Sequence, residues 1–393
     1  MITRKQNERL TQVGRGTPAG ELLRRYWQPV LAAAELTEDK PIMAIRRLGE
    51  DLVAFRTTNG HYGLVDERCP HRHASLAFGS VDDDGIRCPY HGWKYDTSGA
   101  CIEQPAEPSA SKLKDEVCHI AYPVKLLGGL LFAYMGPLPA PPLQRWDVLA
   151  WTQGKRWVQK HTLLNCNWLQ TMENSVDPAH LYWLHGNTAH LAKAVKEYGE
   201  EHEFIQFEYG IMKRRITPGS EPGSSPKIDQ HPLIFPNTLR HVLKDKQSGA
   251  IRHNVQCRVP VDDTHTQVYM VLFEPTESDE TPAEAITSLE YYALRNDDGS
   301  YRMDKVLGQD AMAWETQGAV MDRSAELLGV SDIGIVKFRK LLEEQIEAAK
   351  ENAPLIGFVP TNREDHIIQF NCINERIGVG ETSGTAPADQ MVL

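Results

Sequence analysis

The sequence predicts an α+β protein, in which an all-β module precedes a larger domain that combines helices with an antiparallel sheet. Between about residues 42 and 134, short strand-like runs alternate with turn signals such as Thr58-Asn59-Gly60 and Ser98-Gly99. The proline-rich linker Pro137–Pro142 closes this module. The remainder mixes both types of pattern, with strands predicted near 155–164, 204–216, 249–259 and 265–273, and helices near 165–185 and 303–350.

These patterns divide the chain into three parts. Residues 1–40 form an N-terminal segment, in which Gly20–Leu36 has the pattern of a helix broken at Pro29. We expect this segment to pack on the last domain. The β module occupies 41–145 and the mixed domain 146–393, and the small and polar residues from Gly378 onward predict a loose tail.

Charge and cysteine content narrow the class of protein. Lys and Arg number 42 against 53 Asp and Glu, and the net charge of −11 argues against nucleic acid or an anionic membrane as a partner. The N-terminus lacks the apolar core of a signal peptide. The uncharged stretch Leu126–Gln144 holds four prolines and three glycines, which excludes a membrane-spanning helix. We therefore expect a cytosolic protein. Its seven cysteines, an odd number, argue against a disulfide framework, so a paired cysteine motif is better interpreted as a metal site.

Two short motifs in the β module have the composition of a metal site. Cys69-Pro70-His71 is followed, after sixteen residues, by Cys88-Pro89-Tyr90-His91. A structural zinc site is one interpretation, but zinc fingers keep their cysteines together, whereas each loop here contributes one Cys and one His. This division suits a [2Fe–2S] cluster with two cysteines on one iron and two histidines on the other. Such ligands raise the reduction potential to about −150 to +300 mV, against about −400 mV for plant-type ferredoxins with four cysteines.

The two loops and their flanks resemble the Rieske domain. The resemblance extends to Asp66-Glu67-Arg68 before the first loop and to Gly92-Trp93-Lys94-Tyr95-Asp96 after the second. The additional loop cysteines that respiratory Rieske proteins join as a disulfide are missing, which favours the oxygenase branch. Cys101 and Cys118 lie beyond both loops and are interpreted as ordinary thiols.

A second metal site is indicated by the segment from Asn167 to His185. It resembles the N-W-x-Q-x-x-E-N-x-x-D-x-x-H-x-x-x-x-H signature of Rieske oxygenase catalytic domains. His180 and His185 lie about 140° apart on an ideal helix, so they can face one metal only if the helix widens or ends between them. Gly186 is a natural stop. Two histidines and a carboxylate would form the facial triad of non-haem iron. Taken by themselves, however, two histidines at this spacing are more often ordinary core or surface residues.

The carboxylate is expected far downstream. The segment Gln309–Gln317 resembles the family's late helix, which assigns the third ligand to Asp310. Asp310, Trp314 and Gln317 share one helix face, whereas Glu315 lies on another. Asp304 and Asp322 are alternatives only if the alignment slips, and a surface acid is the ordinary role for an Asp.

The resemblance also implies an architecture and a mode of electron transfer. The catalytic domain would have the helix-grip (START-like) fold, with Fe(II) at the mouth of a cavity. A homotrimer, or two stacked trimers, would bring one subunit's cluster near its neighbour's iron. Asp177 would then link His180 to the neighbouring subunit's His91, a role compatible with capping the helix before Pro178.

Electrons must come from another protein. The glycines at 14, 16 and 20, and those at 378, 380 and 384, lack the spacing and context of a dinucleotide-binding fingerprint. The resemblance implies a separate NAD(P)H-dependent reductase with flavin or iron–sulfur groups, or a ferredoxin, as the partner.

Several stretches resemble the branch of phthalate dioxygenase and phenoxybenzoate dioxygenase. They are Val13–Gly20, Arg25–Val30, Pro236–Arg240 and Glu315–Gly318, within a resemblance that spans roughly 10 to 345. It implies that O₂ is used to hydroxylate or O-demethylate an aromatic carboxylate or aryl ether.

A carboxylate substrate needs a cation in the cavity. Arg240 is the candidate, with Arg258 and Arg214 behind it, although each could be a structural arginine. Two other functions remain open: a Rieske electron carrier with an inactive ligand-binding domain, and a binding module for hydrophobic ligands. Both predict the absence of a tightly bound mononuclear iron, against which the presence of His180, His185 and Asp310 argues.

Overall fold

The computed structural model describes residues 2–185, 199–219, 223–245, 247–358 and 366–380. Within these ranges the helices are α1 (Arg4–Thr11), α2 (Pro18–Arg24), α3 (Leu113–Glu116), α4 (Asp147–Ala150), α5 (Trp168–Ser175), α6 (His180–Trp183), α7 (Val306–Glu315) and α8 (Ile333–Lys350). The first eleven strands are β1 (Gln28–Ala32), β2 (Ile42–Arg47), β3 (Glu50–Arg56), β4 (Tyr62–Asp66), β5 (Ser80–Val81), β6 (Ile86–Arg87), β7 (Lys94–Tyr95), β8 (Cys101–Glu103), β9 (Val124–Leu127), β10 (Leu130–Ala133) and β11 (Arg145–Trp146). The later strands are β12 (Lys155–His161), β13 (Glu201–Phe207), β14 (Gly210–Thr217), β15 (Lys227–Ile234), β16 (Thr238–Lys244), β17 (Ile251–Pro260), β18 (Thr266–Glu274), β19 (Ser288–Tyr292), β20 (Ile367–Ile368) and β21 (Ile373–Asn374).

The first half of the chain contains the small sheets of the predicted β module. One sheet has the strand order β2-β3-β4 and a second the order β5-β6-β7-β8. A core that includes Val53, Phe55, Leu76 and Tyr95 lies between them, and Cys69 and Cys88 belong to the same core. Strands β1, β10 and β9 form a third sheet.

A large sheet dominates the second half of the chain. Its order is β13-β14-β15-β16-β17-β18-β12-β19, and β21 pairs with β15. All its pairs are antiparallel except β12 with β19. A large antiparallel sheet with helices packed on it confirms the predicted α+β class.

The two faces of this sheet have different neighbours. We call the face that bears Leu233 and Leu239 the helix-side face, because these residues share a core with Leu169 of α5 and Phe338 of α8. The opposite face packs, through residues such as Val255, on α4 and on the N-terminal strands. Because successive side chains along a strand point to opposite faces, two adjacent residues enter different environments.

One predicted element differs from the structure. Instead of a helix broken at Pro29, the chain forms α2 and then the strand β1, in which Pro29 pairs with Phe132. Proline lacks an N–H, and β1 is an edge strand, where that loss is tolerated. The 165–185 region is two short helices, α5 and α6, rather than one.

The remaining expectations concern disulfides, membrane-spanning helices and the division of the chain. None of the seven cysteines forms a disulfide. Within the described ranges, no helix is long and apolar enough to cross a membrane. The division at 40 and 145 stays a prediction, and Gly186 and the tail from 381 onward lie outside the described residues.

Candidate metal centres

The two Cys/His loops of the β module have matching backbones. The first follows β4 and the second follows β6. In the first, the N–H of His73 donates to Cys69 O at 2.8 Å, and in the second, the N–H of Gly92 donates to Cys88 O at 3.1 Å. The fourth residue after each cysteine adopts the left-handed conformation, with φ of 60° at His73 and 75° at Gly92. The loops are therefore two copies of one turn, each presenting a thiol and an imidazole.

The four side chains of these loops divide into a buried pair and an outer pair. Cys69 and Cys88 are buried in the module's core, whereas His71 is exposed and His91 partly exposed. The two imidazole rings lie 4.6 Å apart, and that of His71 stacks on the Trp93 ring at 4.4 Å. Burial raises the pKa of Cys88, and the neighbouring Cys69 thiol adds to this effect.

This donor set suits a [2Fe–2S] cluster better than a single ion. Two adjacent buried thiols disfavour their own ionisation, a cost that iron offsets by binding them as thiolates. The thiols lie inward and the imidazoles outward, as two separate irons would require. The hydroxyl of Tyr95 lies 3.2 Å from Cys69 Sγ, so it can donate to a sulfur ligand.

The end of α6 brings the two histidines of the second site together. Helix α5 ends at Ser175, His180 opens α6, and α6 ends at Trp183, before His185. The rings of His180 and His185 lie 5.3 Å apart at 80°. As the five-residue spacing requires, the helix ends between them.

Helix α7 adds the carboxylate of Asp310. Its Oδ1 lies 3.3 Å from His185 Nε2 and 3.8 Å from His180 Nε2. One ligand atom from each of the three residues falls within 4.8 Å of the others, which a single metal ion could bridge. Oδ1 is buried, and within the described ranges no donor with hydrogen-bond geometry reaches it. A buried carboxylate oxygen beside two imidazoles suits a divalent cation.

The second ring nitrogens of both histidines have partners. Nδ1 of His185 lies 2.7 Å from Oε1 of Gln309, and Nδ1 of His180 donates to the backbone carbonyl of Asp177. Asp177 was predicted to accept this bond through its carboxylate, but Oδ2 is 3.8 Å away. The reason is local: the carboxylate instead accepts from the backbone of the turn that leads into α6, with Oδ1 3.0 Å from Ala179 N.

Burial and charge set the protonation of the triad. Burial is the main reason why the pKa of His180 falls to about 4; the charge of Asp310 opposes this change, and the charge of Lys213 contributes to it. Burial also works against a charge on His185, but Asp310 outweighs it and raises the pKa. Both imidazoles can therefore be neutral ligands once a cation occupies the proton's place beside Asp310.

Sequence reasoning missed the residues that hold these elements in place. Gln170 donates from α5 to Trp314 O at 2.8 Å and to Gly318 O at 2.9 Å. Glu173 forms buried ion pairs with Arg323 and Arg339, at 2.7 and 2.6 Å. Gln170 and Glu173 lie in the quoted signature, so their presence there was the available signal. Gln309 likewise opens the quoted segment Gln309–Gln317, next to Asp310.

The alternative carboxylates have other partners. Glu315 pairs with Arg295 and accepts from Tyr301 at 2.8 Å. Asp304 and Asp322 have side chains 61% and 47% exposed and do not join the histidines.

Arg240 was the predicted substrate cation, and the structure contradicts this. Its guanidinium binds both carboxylate oxygens of Asp147, with Nε–Oδ1 3.0 Å and Nη2–Oδ2 3.1 Å, and also donates to His253 at 2.8 Å. Both members of the ion pair are buried to 1% exposure. The physical reason is strand parity: Arg240 points to the face opposite the iron-site helices, whereas His241 points toward them.

Arg214 and Arg258, the other two candidates for the substrate cation, also have partners within the protein. Arg214, on the same face as Arg240, donates to Gln230 at 2.9 Å and to Glu203 at 3.1 Å. Arg258 is on the helix-side face, where it donates to Thr171 and Ser175 of α5 and lies 4.8 Å over the ring of Trp314. Arg258 thus joins α5 to α7.

Both halves of the chain match known protein families. Residues 26–120 match the Rieske [2Fe-2S] domain, and residues 250–378 match a family described as LigXa C-terminal domain like. A solved structure of NdmA from Pseudomonas putida CBB5 has a TM-score of 0.65 at 21% identity, covering 85% of this chain and 94% of that chain. That likeness supports the fold alone.

Two curated relatives cover most of the chain. The 5,5'-dehydrodivanillate O-demethylase oxygenase subunit of Sphingobium sp. (strain NBRC 103272 / SYK-6) is 38% identical, over 88% of this chain and 81% of its own length. The phthalate 4,5-dioxygenase oxygenase subunit of Pseudomonas putida is 31% identical, over 95% and 92%. Similarity at this level across both halves, together with the two matched families, makes this chain an oxygenase subunit of the Rieske non-haem iron oxygenases.

Proposed function

We propose that Cys69, His71, Cys88 and His91 hold the Rieske cluster and that His180, His185 and Asp310 hold the mononuclear iron. The convergence of these last three side chains within 4.8 Å is the observation that carries the proposal. When bound, the iron supplies O₂ activation with electrons delivered by the cluster. The chain's own residues orient the ligands: Gln309 holds His185, and the Asp177 carbonyl holds His180.

We further propose that the substrate is an aromatic carboxylate or aryl ether, which the enzyme hydroxylates or O-demethylates. Support comes from the relatives, named as a dehydrodivanillate O-demethylase, a phthalate 4,5-dioxygenase and a phenoxybenzoate dioxygenase subunit. These names share an aromatic ring that carries carboxylate or ether groups.

The partners follow from the same reasoning. A separate NAD(P)H-dependent flavin or iron–sulfur reductase, or a ferredoxin, would reduce the cluster, and the chain would work in the cytosol as a homotrimer or stacked trimers. Residues 1–40, 41–145 and 146–393 would be its N-terminal segment, Rieske domain and catalytic domain. The Asp177 side chain is 25% exposed and its Oδ2 faces His180 at 3.8 Å, which leaves it accessible to a neighbouring subunit's His91.

Iron and sulfide analysis tests the two-centre proposal. Protein purified anaerobically should contain about three irons and two acid-labile sulfides per chain. His180→Ala and Asp310→Ala should each lose one iron and keep the cluster's visible spectrum, whereas the exposed control Asp304→Asn should keep all three. Two irons in every variant, the wild type included, would instead support the electron-carrier alternative.

Asp177 is tested separately, because its role concerns electron transfer rather than iron binding. Asp177→Asn should retain both metal centres and the oligomer, while reduction of the mononuclear site by the cluster slows. Unchanged single-turnover kinetics in this variant would remove Asp177 from the proposed path between subunits.

A further inference from the structure

Lys213 is a buried ammonium on the helix-side face of the large sheet. It lies in β14, directly opposite Phe204 of β13 and His231 of β15, and only 7% of the residue is exposed. Leu233, two residues from His231 on the same face, belongs to the core beneath α5 and α8. Lys213 therefore points toward the helices that carry the candidate iron ligands.

The junction between α5 and α6 lies above this part of the sheet. A Cβ placed on Gly334 of α8 would meet both Val176 O and the ring of Phe204, within 2.6 Å. Phe204 and the residue next to Asp177 thus flank one point of α8. The charge of Lys213 also contributes to lowering the pKa of His180, after the larger effect of burial.

The charges around Lys213 are paired with one another and not with it. Arg215 binds Glu200 at 2.7 Å and Asp229 at 3.1 Å, and Arg376 also binds Glu200. His231 lies 2.8 Å from Asp229. In the part of the chain that the structure describes, Nζ of Lys213 has no hydrogen-bond or ion-pair partner. Asp229 and Asp177 attract it only through space.

An unpaired buried charge is costly, and a hydrophobic side chain of this length would be more stable in the free protein. Burial lowers the pKa of Lys213 to about 8, so most of the protein still carries the charge at neutral pH. This placement is understandable if an anion completes the ion pair when it binds.

Neighbouring residues extend the site across the sheet. Lys213 and His231 begin a row of residues that lie side by side on neighbouring strands. The row continues with His241, Asn254, Leu272 and Trp157. Nδ2 of Asn254 is buried, and no acceptor in the described ranges pairs with it. Lys213 and Asn254 lie three strand spacings apart, roughly 14 Å. The row thus begins with a cation, continues with polar groups and ends with apolar side chains, as an aromatic acid would require.

We propose that Nζ of Lys213 binds the carboxylate of an aromatic acid substrate beside the mononuclear iron. The proposal rests on the proposed function and adds the residue that selects for an acid. Lys213 would thus bind the substrate's carboxylate, the role that the sequence predicted for Arg240 on the opposite face of the same sheet.

Calorimetric binding to the oxidised, metal-loaded enzyme tests this without turnover. The probes are 3-methoxybenzoate, 3-phenoxybenzoate and biphenyl-3-carboxylate, each compared with its neutral primary amide. At least one acid should bind the wild type more tightly than its amide. Lys213→Gln should weaken binding of that acid at least about 30-fold and leave the amide within about threefold. Lys213→Arg should retain part of the preference.

Stability distinguishes a ligand site from a structural charge. Lys213→Gln and Lys213→Met should unfold at the same temperature as the wild type or higher, because they remove an unpaired buried charge. Lys244→Gln, at an exposed position on the opposite face, should change neither binding nor stability.

Two results would overturn the proposal. One is that no acid binds the wild type better than its amide; the other is that Lys213→Gln keeps the preference, which would place the anion elsewhere, such as on the iron. Because metal content and turnover test the proposed function independently, an enzyme that passes those tests and fails this one loses only the assignment of Lys213.

Discussion

The side-chain amide of Gln309 connects His185 to the backbone of Met303. Its Nε2 donates to Met303 O at 2.7 Å, which directs Oε1 toward His185 Nδ1, also at 2.7 Å. An amide oxygen can only accept, so Nδ1 must carry the proton and Nε2 is left as the nitrogen facing Asp310. Gln309 is thus a positioning residue that fixes the tautomer of a candidate iron ligand.

Replacing this amide should weaken the mononuclear site alone. We expect Gln309→Leu to lower the affinity for Fe(II) about 10- to 100-fold, the usual effect of removing a partner of a metal-bound histidine. Iron titration of protein stripped of its mononuclear metal measures this, with the cluster's visible spectrum unchanged. Gln317→Leu, an exposed residue just beyond the same helix, is the matched control. Equal affinities in all three proteins would show that His185 does not depend on Gln309.

The contact between Tyr95 and Cys69 should tune the cluster. A hydroxyl that donates to a sulfur ligand stabilises the reduced, more negative cluster. Tyr95→Phe should therefore lower the reduction potential, measured by redox titration of the visible spectrum, with full iron and sulfide content. Tyr62→Phe, on a strand of the other small sheet, serves as the control. A potential that stays constant would mean that the hydroxyl does not bond to the sulfur.

The buried pair of Arg240 and Asp147 should matter for stability. Removing one member leaves an uncompensated buried charge, so Arg240→Met should cost roughly 3–5 kcal/mol in the free energy of unfolding. Asp147→Asn should cost a similar amount, and the double variant less than the sum. Arg214→Met, which breaks only a half-exposed pair, should cost less than about 1 kcal/mol. Urea unfolding measures all four. A stable Arg240→Met that no longer binds aromatic acids would restore Arg240 as a substrate residue.

What could be predicted depended on how locally each feature is encoded. The Cys69 and Cys88 loops are short, and each holds its Cys and His within four residues, so their pairing could be inferred from spacing. Asp310 was selected because Gln309–Gln317 resembles the family's late helix, although the structure was needed to show that α7 lies beside His185. The end of α6 at Trp183 agrees with the five-residue spacing of His180 and His185, whereas the separation of α5 from α6 was not predicted.

Features that depend on strand register could not be predicted in this way. Arg240 and His241 are adjacent in sequence but enter opposite environments, and nothing in Pro236–Arg240 reveals which face looks toward the helices. Lys213 was overlooked for the same reason, since its isolation results from Arg215 bonding to Glu200 and Asp229. Such partners are separated by long stretches of chain and are fixed only by the folded sheet.

Glu200 should make stability depend on pH. Its side chain is fully buried, a cost that bonds from His202 and Arg215 outweigh, and its pKa falls from 4.5 to about 2. Because the folded pKa lies below the unfolded one, the stabilisation is complete well above pH 4.5 and is lost as pH falls toward about 2. Glu200→Gln should therefore be less stable than the wild type near neutral pH, and the difference in free energy of unfolding should shrink as pH falls through about 4.5. Glu344→Gln, half-exposed on α8, should show a small difference that does not vary in this way. A gap between wild type and Glu200→Gln that stays constant down to about pH 3 would mean that Glu200 is not held ionised by these partners.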